Sequence, residues 1–304
     1  MRRPGDPPAG SCGWGKAWEL DLATWVERNR AHLENLRVYV SAFRGRPPGP
    51  FAWFAGGVRE AIPLEAGSDR GVALLLAFSA LYQGISERRL LELLARLWRE
   101  YGTDFLRLNR LPFEDLRLRI ESQPGLDDWS IRKQAPGILR SACDFFYRHG
   151  SPLAWVRGVG EGETCIQTLC DEIFMMGKTS AFKSKARYFL WLLSQIPDAR
   201  PEEFWGERTL LPITPGHLRF LREFGPLRDR KSVPWRSPEE KLGYVNRFFH
   251  LVSPKAPWEA YAPLDAYLKA EMPREIPPRW ACREAQGGCL QCVLAPLCPG
   301  REEP

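Results

Sequence analysis

The sequence predicts an all-α fold, and three observations support that prediction. Apolar residues recur at spacings of three and four through most of the chain, as they do on amphipathic helices. No segment combines the alternating apolar residues, β-branched runs and turn dipeptides that a sheet needs. The 304 residues are 44% hydrophobic and 12% aromatic, which is enough apolar surface for a packed core. We therefore expect a globular helical protein.

The first part of the chain is predicted to be a tail followed by amphipathic helices. Residues 1–15 are rich in Pro and Gly and are expected to be disordered. Helical spacing begins at Trp18 and continues to about Phe43, until RGRPPGP at 44–50 ends it. Residues 16–70 are therefore predicted to form the N-terminal helical part.

Helices are predicted through the middle and C-terminal parts as well. The nearly all-apolar segment GVALLLAFSALYQGI, residues 71–85, is too short to span a membrane and predicts a buried helix. Ser86 is expected to cap the next helix, which Gly102 ends. Pro136 is expected in the first turns of the following helix or as a kink in it. The remaining predicted helices are 131–148, 163–176, 184–195, 217–223 and 238–252.

Charge and hydropathy narrow the class of protein only modestly. The chain has 43 Lys and Arg against 37 Asp and Glu, so its net charge of +6 permits a polyanionic partner without requiring one. No uninterrupted apolar stretch reaches 18 residues, and the N-terminus lacks the apolar core of a secretory signal. We therefore expect a cytoplasmic protein.

Four of the eight cysteines lie close together near the end of the sequence, with the spacing C-x6-C-x2-C-x5-C. Cytoplasmic thiols stay reduced, so such a group favours metal binding over disulfides. A structural zinc site usually has two C-x2-C pairs and this segment has one, so the prediction is a 4Fe-4S cluster, with zinc as the alternative. The predicted ligands are Cys282, Cys289, Cys292 and Cys298. The scattered cysteines, predicted to be core or incidental thiols, are Cys12, Cys143, Cys165 and Cys170.

This cysteine spacing at the end of a helical chain resembles the iron-sulfur loop of the endonuclease III branch of the helix-hairpin-helix DNA glycosylase superfamily. GVALLLAFSALYQGISERRLLELLARLW, from residue 71, is similar to the buried helix of that family's first lobe and its successor. IRKQAPGILRSACDFFYRHG, from residue 131, resembles the helix before the hairpin, and SPLAWVRG takes the place of the connector after it. The resemblance covers about residues 65–298. It implies a two-lobed glycosylase-like fold that binds double-stranded DNA as a monomer.

CDEIFMMGKTSAFKSKARYFLWLL, from residue 170, is similar to the family's hairpin segment. Gly177, Lys178 and Thr179 fit the end of the hairpin, whereas Met175 or Met176 stands in place of the first glycine of the usual G-x-G. The resemblance implies that Lys178 is the lysine that forms a Schiff base. Burial near other cations would lower its pKa and free the amine to attack. A surface phosphate contact or an ordinary solvated lysine is the alternative.

The same segment is predicted to contact the DNA backbone. Small residues at the hairpin tip expose amide groups at a helix N-terminus, which suits a phosphate oxygen. MMGKTSAFKSKAR adds four positive charges within ten residues. Besides Lys178, the predicted contacts are Gly177, Thr179, Ser180, Lys183 and Lys185.

Two further groups of DNA contacts are predicted. Gln83, or Tyr82 beside it, lies near the position of the family's wedge residue, which fills the hole left by a flipped base. A buried Tyr or a capping Gln is the alternative. A second basic stretch, for which a solvated face is the alternative, consists of Arg219, Arg222, Arg228, Arg230, Lys231 and Arg236.

LLPITPGHLRFLREFG, from residue 210, resembles the segment that reads PVDTHVxR in the family. Thr214 or Pro215 takes the position of the family's Asp, which stabilises the cationic sugar, and no carboxylate lies between residues 208 and 222. Thr214 and His217 are therefore kept as catalytic candidates. A structural role is the alternative for His217.

The sequence thus predicts a DNA repair glycosylase-like protein that excises a modified or mismatched base, with associated lyase activity. The alternative is a non-catalytic DNA-binding or damage-sensing iron-sulfur protein. One lobe is expected to contain residues 71–225 with the hairpin, while residues 16–70 pack with 226–304 and the cluster. In a prokaryote the protein would lie at the nucleoid.

Overall fold

The computed structural model of the chain describes residues 16–35, 68–85, 87–101, 108, 110–124, 126–159, 162–194, 210–228, 230–261 and 264. Within these residues there is no β-strand, so the all-α prediction is confirmed for this part of the chain. The bounded helices are α1 Lys16–Arg28, α2 Asp69–Leu81, α3 Glu87–Tyr101, α4 Phe113–Glu121, α5 Ala135–His149, α6 Pro152–Val159, α7 Gly162–Glu172, α8 Ser184–Leu193, α9 Pro215–Glu223 and α10 Pro238–Val252. None of the described helices is long and apolar enough to cross a bilayer.

The chain divides into two compact units. One unit combines Met1–Arg46 with Ile213–Pro304, and the other is Pro47–Pro212. The predicted tail at residues 1–15 lies outside the described residues.

Helix α2 is the central helix of the Pro47–Pro212 unit. All of its residues from Gly71 to Leu81 are buried, and it packs against α3, α5, α6 and α8. Ser68 caps its start, because the Ser68 hydroxyl accepts a hydrogen bond of 3.1 Å from the Gly71 amide. A helix that is apolar on every face is stable only when other elements surround it, as they do here. The predicted buried helix is therefore confirmed, but it ends at Leu81 rather than at residue 85.

Several predicted helix ends agree with the structure. Helix α3 begins at Glu87 and ends at Tyr101, next to the expected cap Ser86 and stop Gly102, which lie outside the described residues. Pro136 lies in the first turn of α5, where its missing N–H removes no helical hydrogen bond.

Three of the departures from the predicted elements have a local cause. Helix α7 ends at Glu172 rather than at residue 176, because the chain enters a turn with left-handed backbone. The expected connector at 151–158 is helical, since the Ser151 hydroxyl accepts from the Ala154 amide at 3.4 Å and Pro152 suits the first helical position. Helix α4 was not predicted, because its two buried positions, Leu116 and Ile120, give too short an apolar pattern.

In the other unit, α1 packs against α10. Leu22 and Val26 of α1 are buried, and the rings of Trp25 and Phe248 lie 6.3 Å apart. Glu19 pairs with Arg247 at 2.9 Å, but both side chains are about half exposed, so apolar burial contributes most of the stability.

The described cysteines are core residues, as predicted. Cys143, Cys165 and Cys170 are each 1% exposed. Burial raises the pKa of the Cys170 thiol to about 11, so it stays protonated at neutral pH. Cys12 lies outside the described residues.

Candidate functional site

Helices α7 and α8 are joined by residues 173–183, called here the hairpin turn. Met175 and Lys183 have φ angles of 59° and 44°, and they are the two non-glycine residues with positive φ in the part of the chain that the structure describes. A left-handed backbone at such residues costs on the order of 1 kcal/mol each. The surrounding structure must therefore hold this turn firmly.

The two positions that the resemblance compares with G-x-G both have glycine-like backbone. Met175 has the left-handed φ of 59°, and Gly177 has a φ of 120°. A Cβ added at Gly177 would also lie 3.4 Å from the Lys183 Cα. The backbone that favours glycine is thus present at residue 175, although the side chain there is methionine.

Arg187 of α8 holds the hairpin turn in place. Its side chain is 5% exposed and donates to both carboxylate oxygens of Glu163 on α7, at 2.5 and 3.0 Å. It also donates to the carbonyls of Phe182 at 3.1 Å and Leu210 at 2.7 Å. The Leu210 amide returns a bond of 3.2 Å to Glu163. These bonds compensate the buried charge and tie the turn to residue 210.

Three lysines of the hairpin segment have three different environments. Lys178, the predicted Schiff-base lysine, is 69% exposed, and its Nζ lies 3.6 Å from the Asp171 carboxylate. The Lys183 Nζ donates to the side-chain oxygen of Gln167. The Lys185 Nζ donates to the Met175 carbonyl at 3.1 Å, and burial lowers the pKa of Lys185 to about 8. The burial that the sequence led us to expect at Lys178 is therefore found at Lys185.

Asp171 is a carboxylate that the sequence analysis missed. A hydrogen bond of 2.8 Å from Gln167, together with the charge of Lys178, holds the pKa of Asp171 below its usual value. Gln167 and Asp171 are four residues apart on α7, a spacing that places them on one helix face. That spacing could have indicated from the sequence that the two side chains interact. Nothing in the sequence indicated that the chain reverses after α7 and brings Lys178 to the same face.

Backbone donors remain open in the hairpin turn, which precedes α8. Lys183 is the N-cap of α8 and makes no side-chain capping bond. In the described part of the chain, the amides of Gly177, Lys178 and Thr179 have no protein acceptor, whereas the Ser180 amide donates to the Gly177 carbonyl at 2.9 Å. Open amides and the positive end of a helix dipole both favour an anion.

Thr214 and His217 are bonded to each other at the start of α9. The Thr214 amide donates to the His217 Nδ1 at 3.1 Å, and the Thr214 hydroxyl accepts from the His217 amide at 3.4 Å. His217 is 1% exposed and contacts the rings of Phe249 and Tyr261. Both catalytic candidates thus form a capping box. They belong to a different unit from the hairpin turn.

The two wedge candidates have different surroundings. Tyr82 is half-buried, and its ring stacks with Phe78 and Tyr188 at 5.4 and 5.7 Å. The Gln83 side chain is exposed, while its carbonyl accepts a bond of 2.8 Å from the Trp129 indole. Of the two, Gln83 has the side chain available to a ligand.

The second basic stretch is exposed but partly paired within the protein. Arg219, the most buried of these cations, pairs with Glu223 at 3.3 Å, and Arg230 pairs with Asp21 at 2.5 Å. Arg222, Arg228 and Lys231 are exposed. These observations fit a solvated face as well as a DNA contact.

The four predicted cluster ligands, Cys282, Cys289, Cys292 and Cys298, lie outside the described residues. Among the residues that are described, no group of three or more His, Cys, Asp and Glu side chains could hold a metal ion. Four thiolates remain a donor set that suits an iron-sulfur cluster.

Comparisons with known proteins yield no relative of this chain. No protein-family model matches it, and neither a curated protein nor a solved structure is significantly similar to it. The resemblance to helix-hairpin-helix glycosylases therefore rests on the sequence motifs alone.

Proposed function

We propose that this chain binds double-stranded DNA through the hairpin turn and removes a modified or mismatched base, as a glycosylase-like repair protein. The hairpin turn is the observation that carries the proposal. Its amides at residues 177–179 have no acceptor in the described structure, and Lys178, Lys183 and Lys185 lie in the same turn or just after it. Open backbone amides bind phosphate oxygens, and lysines add an attraction to the backbone that does not depend on sequence.

Arg187 supports this proposal without contacting DNA itself. It is buried and fully engaged with Glu163, Phe182 and Leu210. A phosphate site loses affinity when its amides must be ordered on binding, because ordering costs conformational entropy. A turn that is already fixed by buried hydrogen bonds avoids that entropic cost. Arg187 is therefore a positioning residue of the proposed site.

The proposed chemistry uses an amine of the hairpin segment. The neutral amine attacks C1′ of the target nucleotide, the bond from C1′ to the base breaks, and the base leaves with the bonding electrons and takes up a proton. One amine proton balances the proton that the leaving base takes up, and the other passes to O4′ as the C1′–O4′ bond breaks and the sugar ring opens to give the imine. Lys178 is the candidate from the sequence, and Asp171 beside it would stabilise positive charge on the sugar.

Lys185 is a second candidate for the amine. Its pKa of about 8 gives it a substantial neutral fraction near neutral pH, which an ordinary lysine lacks. A base extruded from the duplex would have to approach the Met175 carbonyl to reach this amine.

We also propose that Cys282, Cys289, Cys292 and Cys298 hold a 4Fe-4S cluster. Bound there, the cluster would cross-link a segment that is short of apolar residues and so order it. Purification without oxygen should give brown protein with four irons per chain. A colourless protein that contains zinc would contradict this part of the proposal.

DNA binding is tested by removing the charges of the hairpin. The affinity for a paired duplex falls as salt rises, and the variant Lys178→Gln/Lys183→Gln/Lys185→Gln should make this fall less steep. The magnitude of the slope of log affinity against log salt should decrease by about two to three. The matched control, Arg99→Gln/Arg110→Gln/Lys133→Gln, loses the same charge from exposed positions outside the hairpin and should change the slope by less than about one. Equal changes in the two variants would reject the hairpin as the binding site.

Catalysis is tested by borohydride trapping on duplexes that each contain one damaged base. A covalent adduct that is lost in Lys178→Gln or in Lys185→Gln identifies the amine. Tight binding without base release or adduct would instead support the non-catalytic, damage-sensing alternative. That alternative is favoured by the sequence around Thr214, in which no carboxylate lies between residues 208 and 222.

A further inference from the structure

Phe174 is an exposed aromatic residue of the hairpin turn. Its side chain is 53% exposed, whereas the nearby Ile173 and Met176 are 2% and 0% exposed. The other exposed large apolar side chains in the described part of the chain lie outside this turn; they are Leu20, Phe113, Leu118, Tyr147 and Val233. Single exposed apolar side chains are common on protein surfaces, so what distinguishes Phe174 is that it belongs to the same turn as the open amides at 177–179.

The ring of Phe174 is held in position by helix α5. The Phe174 amide donates to the Ser141 hydroxyl at 3.0 Å. A Cβ added at Gly137 would lie 3.5 Å from the ring's Cδ1, so the ring lies against the part of α5 that has no side chain. The ring is therefore supported by α5 while about half of its surface faces solvent.

Positive charge lies close to the residue that follows Phe174 in the chain. The Lys185 Nζ is 3.1 Å from the carbonyl of Met175, the residue directly after Phe174. The open amides at 177–179 follow within the same turn. An aromatic surface combined with lysines and open amides matches what proteins use to bind a nucleic-acid strand whose bases are accessible.

We propose that Phe174 is a stacking platform for an unpaired nucleobase next to the phosphates that the hairpin turn binds. The inference rests on the proposed DNA binding. It adds that the hairpin turn contacts an unpaired base as well as the phosphates. Paired bases lie inside the duplex, so only a base that has lost its partner can reach a ring outside it. The side chain of Phe174 has no hydrogen-bonding group, so stacking on its ring would not distinguish one base from another.

The consequence is a preference for distorted DNA over paired DNA. Stacking on an aromatic side chain contributes roughly 1–3 kcal/mol per base, which is about a tenfold change in affinity or more. Backbone contacts alone would give no such preference, since paired and distorted duplexes carry the same phosphates.

The experiment uses the full chain, Phe174→Ala and Phe174→Trp with three probes. The probes are a paired 20-mer duplex, the same duplex with one tetrahydrofuran abasic site, and a single-stranded oligo-dT. Phe174→Ala should weaken binding to the abasic duplex and to oligo-dT about tenfold and change binding to the paired duplex less than about twofold. Phe174→Trp should restore the preference. Tyr147→Ala, which removes a similarly exposed aromatic of α5, should change none of the three affinities.

The outcomes separate this inference from the proposed function. If the wild-type chain binds none of the probes, the proposed function fails. If it binds them but Phe174→Ala weakens all three equally, or none, only the stacking role is overturned. A second measurement guards against misfolding, because the fluorescence of 2-aminopurine opposite the abasic site should change on binding to wild type and to Phe174→Trp but not on binding to Phe174→Leu. The same fluorescence change with Phe174→Leu as with wild type would overturn the stacking role.

Discussion

The starts of α8 and α9, both marked by the sequence as functional, are built in opposite ways. At α9, Thr214 and His217 bond to each other's backbone and form a capping box. At α8, Lys183 provides no side-chain cap, and the amides before it stay open within the described structure. A helix start closed by its own side chains serves the fold, whereas an open one offers donors to a ligand.

The order at the two helix starts also has different sources. A capping box stabilises a helix locally, by about 1 kcal/mol. The α8 start lacks that contribution and includes left-handed residues, yet the buried Arg187 holds it from behind. Supporting the turn through Arg187 leaves its outer face available for phosphates.

The largest effect is expected from removing Arg187. Arg187→Met should lower the free energy of unfolding by about 3 kcal/mol, because Glu163 and two carbonyls lose their buried donor. Urea unfolding followed by circular dichroism measures the change.

Arg117 provides the control for this prediction. It also pairs with two glutamates, Glu114 and Glu121, but on the surface of α4, so Arg117→Met should cause a much smaller loss. Equal losses in the two variants would show that Arg187 does not hold the turn.

The capping box is the opposite case and can be altered at one residue. Thr214→Ala should cost about 1 kcal/mol, while Thr214→Asp should retain the stability to within about 0.5 kcal/mol, since aspartate caps helices as well as threonine does. Thermal unfolding measures both. A neutral Thr214→Ala would mean that the box contributes nothing and would remove the contrast with α8.

The charge of Lys185 makes the α8 side of the comparison dependent on pH. Because burial lowers its pKa to about 8, Lys185 is charged at pH 7 and largely neutral at pH 9. Affinity for a paired duplex should therefore fall by up to about fivefold over that range.

The variant Lys185→Arg distinguishes the titration of Lys185 from that of the other ionisable groups, because arginine stays charged from pH 7 to pH 9. Its affinity should be nearly constant from pH 7 to pH 9. A wild-type affinity that is equally constant would show that Lys185 does not contact the backbone. The linked effect on folding has the opposite sign: the cost of a buried ammonium is complete below pH 8 and is relieved as pH rises toward 10.5.

The smallest effect is expected at Met175. Met175→Gly removes the strain of a φ of 59° but adds chain entropy to the unfolded state, so it should stabilise by no more than about 1 kcal/mol. Thr179→Gly, at a residue of the same turn without positive φ, should instead destabilise by about 0.5–1 kcal/mol. The same sign in both variants would argue against a left-handed residue 175.

Local signals predicted much of the fold. Helix α3 begins directly after the expected cap Ser86 and ends directly before the expected stop Gly102, and Pro136 falls in the first turn of α5, all features that act over a few residues. The left-handed backbone at Met175, in the turn that ends α7, could not be predicted in this way, because methionine has no preference for a positive φ. The same holds for the eight-residue α6, which is too short for a clear apolar period.

The sequence predicted where the turn between α7 and α8 lies but not the contacts that its side chains make. GKT located the turn, and three lysines followed from the sequence. Which lysine is buried depends on where the Met175 carbonyl lies, and the bonds of Arg187 to Glu163 and Leu210 join residues 24 and 23 positions apart. Contacts at that separation depend on packing, which no local pattern encodes.

Hydrogen exchange with and without a paired duplex tests the open turn most directly. DNA should slow exchange at the amides of residues 177–179, which have no acceptor in the described structure, and should leave exchange at the Thr214 and His217 amides unchanged. Slowed exchange at residues 214–217 with unchanged exchange at 177–179 would contradict the proposal that the hairpin turn binds DNA.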